Sequence, residues 1–279
     1  MIMKQSILIL LLTAASLSLT AGAQEPGCQL ILHNALTYLG KPYVAHTLEI
    51  NDEEQLVVNL EEVDCTTFVE YVLAQSLATV RGGAMEDYLK RIRYRDGRID
   101  GYTSRLHYIA EWVENGVQNG FIKDITAMNS TDTVPLKLSF MSTHPNAYRH
   151  LKDSPENVKK IKDVERKLSV GSFHYLPKEK ISDEGLPWIK DGDIFCITTN
   201  ITGLDVVHLG FACYRDGQLK LLHASSSSKQ VVLLSLSSFW SANWLVIWTI
   251  CRPVRKSRHS APWCAPKDFP AGRTCSWSA

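Results

Sequence analysis

The sequence has no C-x-x-C pair, and its cysteine spacings resemble no disulfide framework. Cys28, Cys65, Cys196, Cys213, Cys251, Cys264 and Cys275 are an odd set, so in an exported chain at least one thiol stays unpaired. A zinc ribbon and a small disulfide-stapled scaffold are both disfavoured. A dominant charge is missing too: 30 Lys and Arg stand against 29 Asp and Glu, a formal net charge of +1. No basic run is interleaved with aromatics, so the usual footprint of a nucleic-acid binder is lacking. Internal repeats are absent. Beyond the first dozen residues no apolar run is long enough to span a bilayer. What remains is a globular chain with room for one large domain or two small ones.

The apolar run that does exist lies at the start. Lys4 gives a positive n-region, Ser6 to Leu12 read SILILLL, and Ala21-Gly22-Ala23 is an A-x-A pattern. These are the parts of a secretory leader, and they predict cleavage between Ala23 and Gln24. The mature chain would then be a soluble, exported monomer. Cys28 raises lipidation as a question, but Glu25-Pro26-Gly27 before it lacks the apolar residue such a site needs. Retention of residues 1–23 as a membrane anchor is the competing reading.

The apolar positions of residues 28–39 predict a short helix, followed by a turn at Gly40-Lys41-Pro42-Tyr43. Residues 56–60 read as a strand. The clearest helix begins at Asp64-Cys65, with Phe68, Val69, Val72, Leu73 and Leu77 on one face and Asp64 as N-cap. Residues 84–175 read as mostly helical and polar, an insertion or cap over the core. From Gly192 the pattern turns to strand, at 194–198, 206–214, 218–224 and 245–250. Asp216-Gly217 is a hairpin signal. Residues 255–279 read as a disordered tail, in which Cys264 and Cys275 are the candidate pair if any disulfide forms.

Cys65 falls in the first turn of its helix, three residues before Phe68 and so on the inward face. Free backbone N–H groups and the helix dipole there favour thiolate and can hold an oxyanion. A buried cysteine is more commonly just a small hydrophobe, and a strand histidine such as His208 is commonly a satisfied core residue. The hairpin changes that balance. A two-residue loop at 216–217 pairs Arg215 with Gln218, which sets His223 opposite Gly210. His208 and His223 then share a face as diagonal neighbours, roughly 7–8 Å apart at the backbone. An inward thiol with two aligned imidazoles follows the logic of thiol hydrolases: His208 takes the proton and His223 orients it. A Cys-His-His zinc site is the alternative.

Gly40-Lys41-Pro42-Tyr43, Asp64-Cys65-Thr66-Thr67-Phe68-Val69, Val207-His208-Leu209-Gly210 and Leu222-His223-Ala224-Ser225-Ser226 together resemble the NlpC-type cell-wall cysteine hydrolases. Thr66 stands where that family has serine, and the spacing from Tyr43 to Asp64 is longer than usual. Tyr102-Thr103-Ser104-Arg105-Leu106-His107-Tyr108 with Trp112, Phe140-Met141-Ser142 and Asp191-Gly192-Asp193-Ile194 are similar to the N-acetylmuramoyl-L-alanine amidase-like branch. The resemblance runs from about residue 28 to about 253. It implies an α+β fold: a papain-like core whose cysteine-bearing helix packs on an antiparallel sheet, with a large helical insertion. It implies peptidoglycan or its muropeptide fragments as substrate and no cofactor. Tyr43 would position the substrate carbonyl, and Asp64 would bind a substrate amine or amide. Arg105 is a candidate for a substrate carboxylate, since guanidinium matches that group bidentately; a solvated helix charge is the plainer reading. Two other functions stay open, a D-glutamyl-diamino acid endopeptidase and a non-catalytic wall-binding module.

Overall fold

The structure, a computed structural model, describes residues 26–241 and 247–253. The expected leader, the tail and the Cys264–Cys275 pair lie outside the described residues. The fold is mixed α+β.

Its centre is helix α2 (Cys65–Arg81), which begins where the sequence placed it. Asp64 caps it by accepting the Thr67 backbone N–H at 2.8 Å, and the Thr67 hydroxyl accepts the Asp64 N–H at 2.9 Å. This reciprocal box satisfies two orphan donors of the first turn. Gly82 ends the helix with φ 75°, a backbone state that favours glycine. Phe68, Val69, Tyr71, Val72 and Leu73 are buried to 1% exposure or less. Full burial of each such side chain contributes about 1.5–3 kcal/mol, which outweighs any propensity term in fixing the helix. Helix α1 (Pro26–Leu36) packs beside it.

Helices α3 (Met85–Arg93) and α4 (Ile109–Gln118) follow. The expected 84–175 block is only partly helical. It also holds β1 (Ile122–Asp124), β2 (Thr133–Pro135), the short α5 (Phe140–Thr143), α6 (Pro155–Leu168) and β3 (Ser172–His174). β2 and β3 pair with each other, whereas β1 joins the main sheet.

That sheet comprises β4 (Ile194–Thr198), β5 (Val206–Arg215), β6 (Gln218–Ser225), β7 (Gln230–Ser235) and β8 (Ile247–Pro253), with α7 (Leu236–Ser241) between the last two. Its order is β1-β8-β4-β5-β6-β7, antiparallel throughout. Arg215 pairs with Gln218 across Asp216-Gly217, whose φ values of 56° and 74° suit a hairpin turn with both central residues left-handed. Leu209, Phe211 and Cys213 of β5 pack under α2, and Phe211 meets Phe68 edge-on at 5.3 Å. Ala212 and Leu221 belong to a second cluster on the other face, with Leu236 and Phe239 of α7.

Residues 56–60 are not a strand. Their backbone groups are taken by side chains instead: the Val57 carbonyl accepts from Arg93 at 2.7 Å, and the Asn59 N–H donates to the Tyr71 hydroxyl at 3.0 Å. Among the described residues no helix is long and apolar enough to cross a membrane.

Candidate active site

Cys65 is partly exposed at the start of α2. Its sulfur takes the backbone N–H of Leu209 on β5 and lies 4.0 Å from the Thr66 hydroxyl. Burial, helped by the Asp64 charge, pushes the thiol up to about 12, against the lowering from Leu209, Thr66 and its own N–H. Desolvation outweighs the helix N-terminus, so the resting group is a neutral thiol.

His208 and His223 are joined. The bond from His208 Nε2 to His223 Nδ1 is 2.7 Å, and the rings stand 84° apart. The hairpin register achieves this, and Gly210 permits it: a Cβ there would come within 3.0 Å of the His223 Cβ. On β4, Ile197 pairs with His208 but Thr198 pairs with Val206, so Val207 is an extra residue. This bulge sits beside His208, where it re-aims the strand. Nothing in the sequence flags it, since Val206-Val207 reads as plain strand. Burial and the neighbouring His223 lower His208 to about 3, and burial lowers His223 to about 4. Both rings are therefore neutral at pH 7.

The thiol and the imidazole pair meet β5 at adjacent residues, Leu209 and His208. Among the described residues no hydrogen bond joins the sulfur to either ring. Such contacts are commonly long in ligand-free enzymes and tighten with substrate.

Tyr43 lies beside the thiol. It bridges Val63, the residue before Asp64, and its N–H donates to the Lys229 carbonyl at 2.9 Å. Burial raises its phenol, and so do the nearby Cys65 and Asp64 charges. Asp64 spends its Oδ1 on the capping box, where Thr67 supplies two donors. Arg105 has its partners elsewhere in the chain. Its guanidinium is buried in ion pairs with Glu54 and Glu49, both at 2.6 Å, and it grips Glu54 through two nitrogens. Its carboxylate partners are thus within the chain. The Asp191–Asp193 segment is also internal: Asp193 binds Arg252 through two bonds of 2.9 Å.

Two neighbours were not found from sequence. Asp205 accepts the Ala110 N–H at 2.8 Å and so caps α4, which has no cap of its own. Phe239 contacts both imidazoles. Its only signal was a short apolar stretch, Leu236 to Trp240. Among the described residues no group of three or more His, Cys, Asp or Glu is arranged to hold a metal.

A family model described as AmiA-like, N-acetylmuramoyl-L-alanine amidase-like, matches residues 34–243. The solved structure of an N-acetylmuramoyl-L-alanine amidase from Bacteroides uniformis is 52% identical, with TM-score 0.80, covering 82% of this chain and 99% of that one. A Bacteroides fragilis structure described as a candidate xylanase is 50% identical, with TM-score 0.76, covering 79% and 99%. A Legionella pneumophila protein at 20% identity shares the fold, with TM-score 0.62 over 82% and 89% of the two chains. No curated protein matches.

Proposed function

The chain belongs to the N-acetylmuramoyl-L-alanine amidase-like family, and from that premise we propose that it is a peptidoglycan amidase with Cys65 as its nucleophile. The bond cut is the amide between N-acetylmuramic acid and L-alanine. The core is of the papain-like NlpC type, the 84–175 block caps the cleft, and residues 1–23 direct export to the periplasm or beyond, where the substrate lies.

The observation that carries the mechanism is the 2.7 Å bond between His208 and His223, set one residue along β5 from the contact of the thiol. With Nε2 of His208 donating to His223, its Nδ1 is the nitrogen free to take a proton. Nδ1 removes the Cys65 proton as sulfur attacks the muramoyl carbonyl carbon. The oxygen becomes an oxyanion, held by the N–H groups at the start of α2. His208 returns the proton to the departing L-alanine nitrogen, and the C–N bond breaks. Water then attacks the thioester with His208 again as base, which frees the muramic carboxylate and restores the thiol. Tyr43, beside Cys65, positions the carbonyl.

A xylanase reading asks for two carboxylates flanking a glycosidic bond. The groups proposed here are a thiol and two imidazoles, and the neighbouring carboxylate of Asp64 serves the helix cap. Digestion of a defined muropeptide, followed by mass spectrometry, tests the proposal. Release of an intact stem with a free L-alanine amine is expected. Release of the peptide beyond D-glutamate, with L-alanyl-D-glutamate left on the sugar and the muramic linkage untouched, would make the enzyme an endopeptidase instead.

A further inference from the structure

We propose that Phe239 is a positioning residue for the catalytic imidazoles, a dry aromatic wall that fixes both rings. This rests on the Cys65–His208–His223 reading above.

Three rings pack against one another. Phe239 stacks on His208 at 5.7 Å and 29°, and meets His223 edge-on at 5.5 Å and 88°. The imidazoles meet each other at 4.8 Å. Each ring therefore touches the other two, and Phe239 is 6% exposed.

The need for such a wall follows from His223. An orienting residue normally holds its ring through a second polar partner. The Nε2 of His223 is buried and has no hydrogen-bond partner among the described residues. One bond of 2.7 Å leaves rotation about that contact unopposed. Phe239 opposes it by shape, since offset and edge-on aromatic contacts hold ring planes and contribute about 0.5–1.5 kcal/mol each. The same ring covers one side of both imidazoles. Of the other elements around His208, β4 presents Ile197 and β6 presents His223. Among the described residues, His223 is the charge-bearing group that lowers it, and burial is the larger cause.

Removing the wall should let water in and bring His208 back toward its ordinary value. The active form has neutral His208, so activity would fail at higher pH on the acid side. The experiment compares wild type, Phe239→Ala and Phe239→Leu, the last keeping most of the apolar volume. The acid limb of kcat/KM on the muropeptide is expected to rise by about one pH unit or more in Phe239→Ala, and by less in Phe239→Leu. A nitrogen-15 NMR titration of the imidazoles in a Cys65→Ala background should show the same order. A limb and an NMR pKa that stay put while melting temperature falls would reduce Phe239 to packing and overturn the proposal. Turnover by Cys65→Ala alone would instead sink the nucleophile assignment, whatever the imidazoles do.

Discussion

A thiol held neutral by burial reacts only if a base takes its proton during attack. On the proposed mechanism, that is what Cys65 pushed up to about 12 asks of the neutral His208. Cys65→Ala should abolish hydrolysis with circular dichroism and melting nearly unchanged, because the side chain lost is small. On the proposed mechanism the two histidines differ in role. His208→Ala should lower kcat by about 10²–10⁴, the usual range for a general base. His223→Asn should keep measurable activity, since an amide oxygen can still accept from His208. Equal and complete loss in both folded variants would contradict this assignment. The pH profile has a definite sign. His208 must be neutral, and its folded value is about 3. The acid limb of kcat/KM should therefore lie well below 6.5, and a limb at 6.5 or above would contradict the buried base.

At the scale of elements, the helix carrying Cys65 and the hairpin carrying the imidazoles were both legible. The apolar period of 68–77 and the Asp64 cap announce the helix, while Asp216-Gly217 fixes register to the residue. β7 and α7 were not legible. The turn before β7 is Ser226-Ser227-Ser228-Lys229, without glycine or proline, and no glycine or proline separates β7 from α7 either. Phe239 was hidden with them. Asp205 was hidden for another reason: the helix it caps lies 95 residues earlier. It also accepts the Val206 N–H at 2.7 Å, so it ties α4 to the start of the His208 strand. Asp205→Ala should cost about 1–3 kcal/mol by stranding buried donors. Burial raises the Asp205 carboxyl to about 6 from 3.8. A raised folded value means that its stabilisation is full below 3.8 and lost as pH rises through 6. The advantage of wild type over Asp205→Ala in urea melts should thus widen from pH 7 to pH 4.5. A gap that narrows would contradict the raised value.

Across the whole molecule, long-range ion pairs engage charged residues that sequence alone leaves unpartnered. Sequence could nominate Arg105 because guanidinium suits carboxylates, but it could not show Glu49 and Glu54 waiting more than fifty positions away. Arg149 reaches the same segment, donating to the Glu49 carbonyl at 2.6 Å and pairing with Asp52. The 84–175 block is thereby fastened to the stretch that follows Tyr43. Arg105→Gln should accordingly lower stability by about 3 kcal/mol, since it leaves Glu54 buried without its main partner. A variant with unchanged melting and a raised KM would restore Arg105 to the substrate. The account as a whole claims that one thiol opens one amide, the one joining sugar to peptide. Hydrolysis of a defined muropeptide in oxygen-18 water tests that claim most directly. The label should enter the muramic acid carboxylate with wild type and be absent with Cys65→Ala. Label on the D-glutamate carboxylate, or equal labelling by Cys65→Ala, would contradict it.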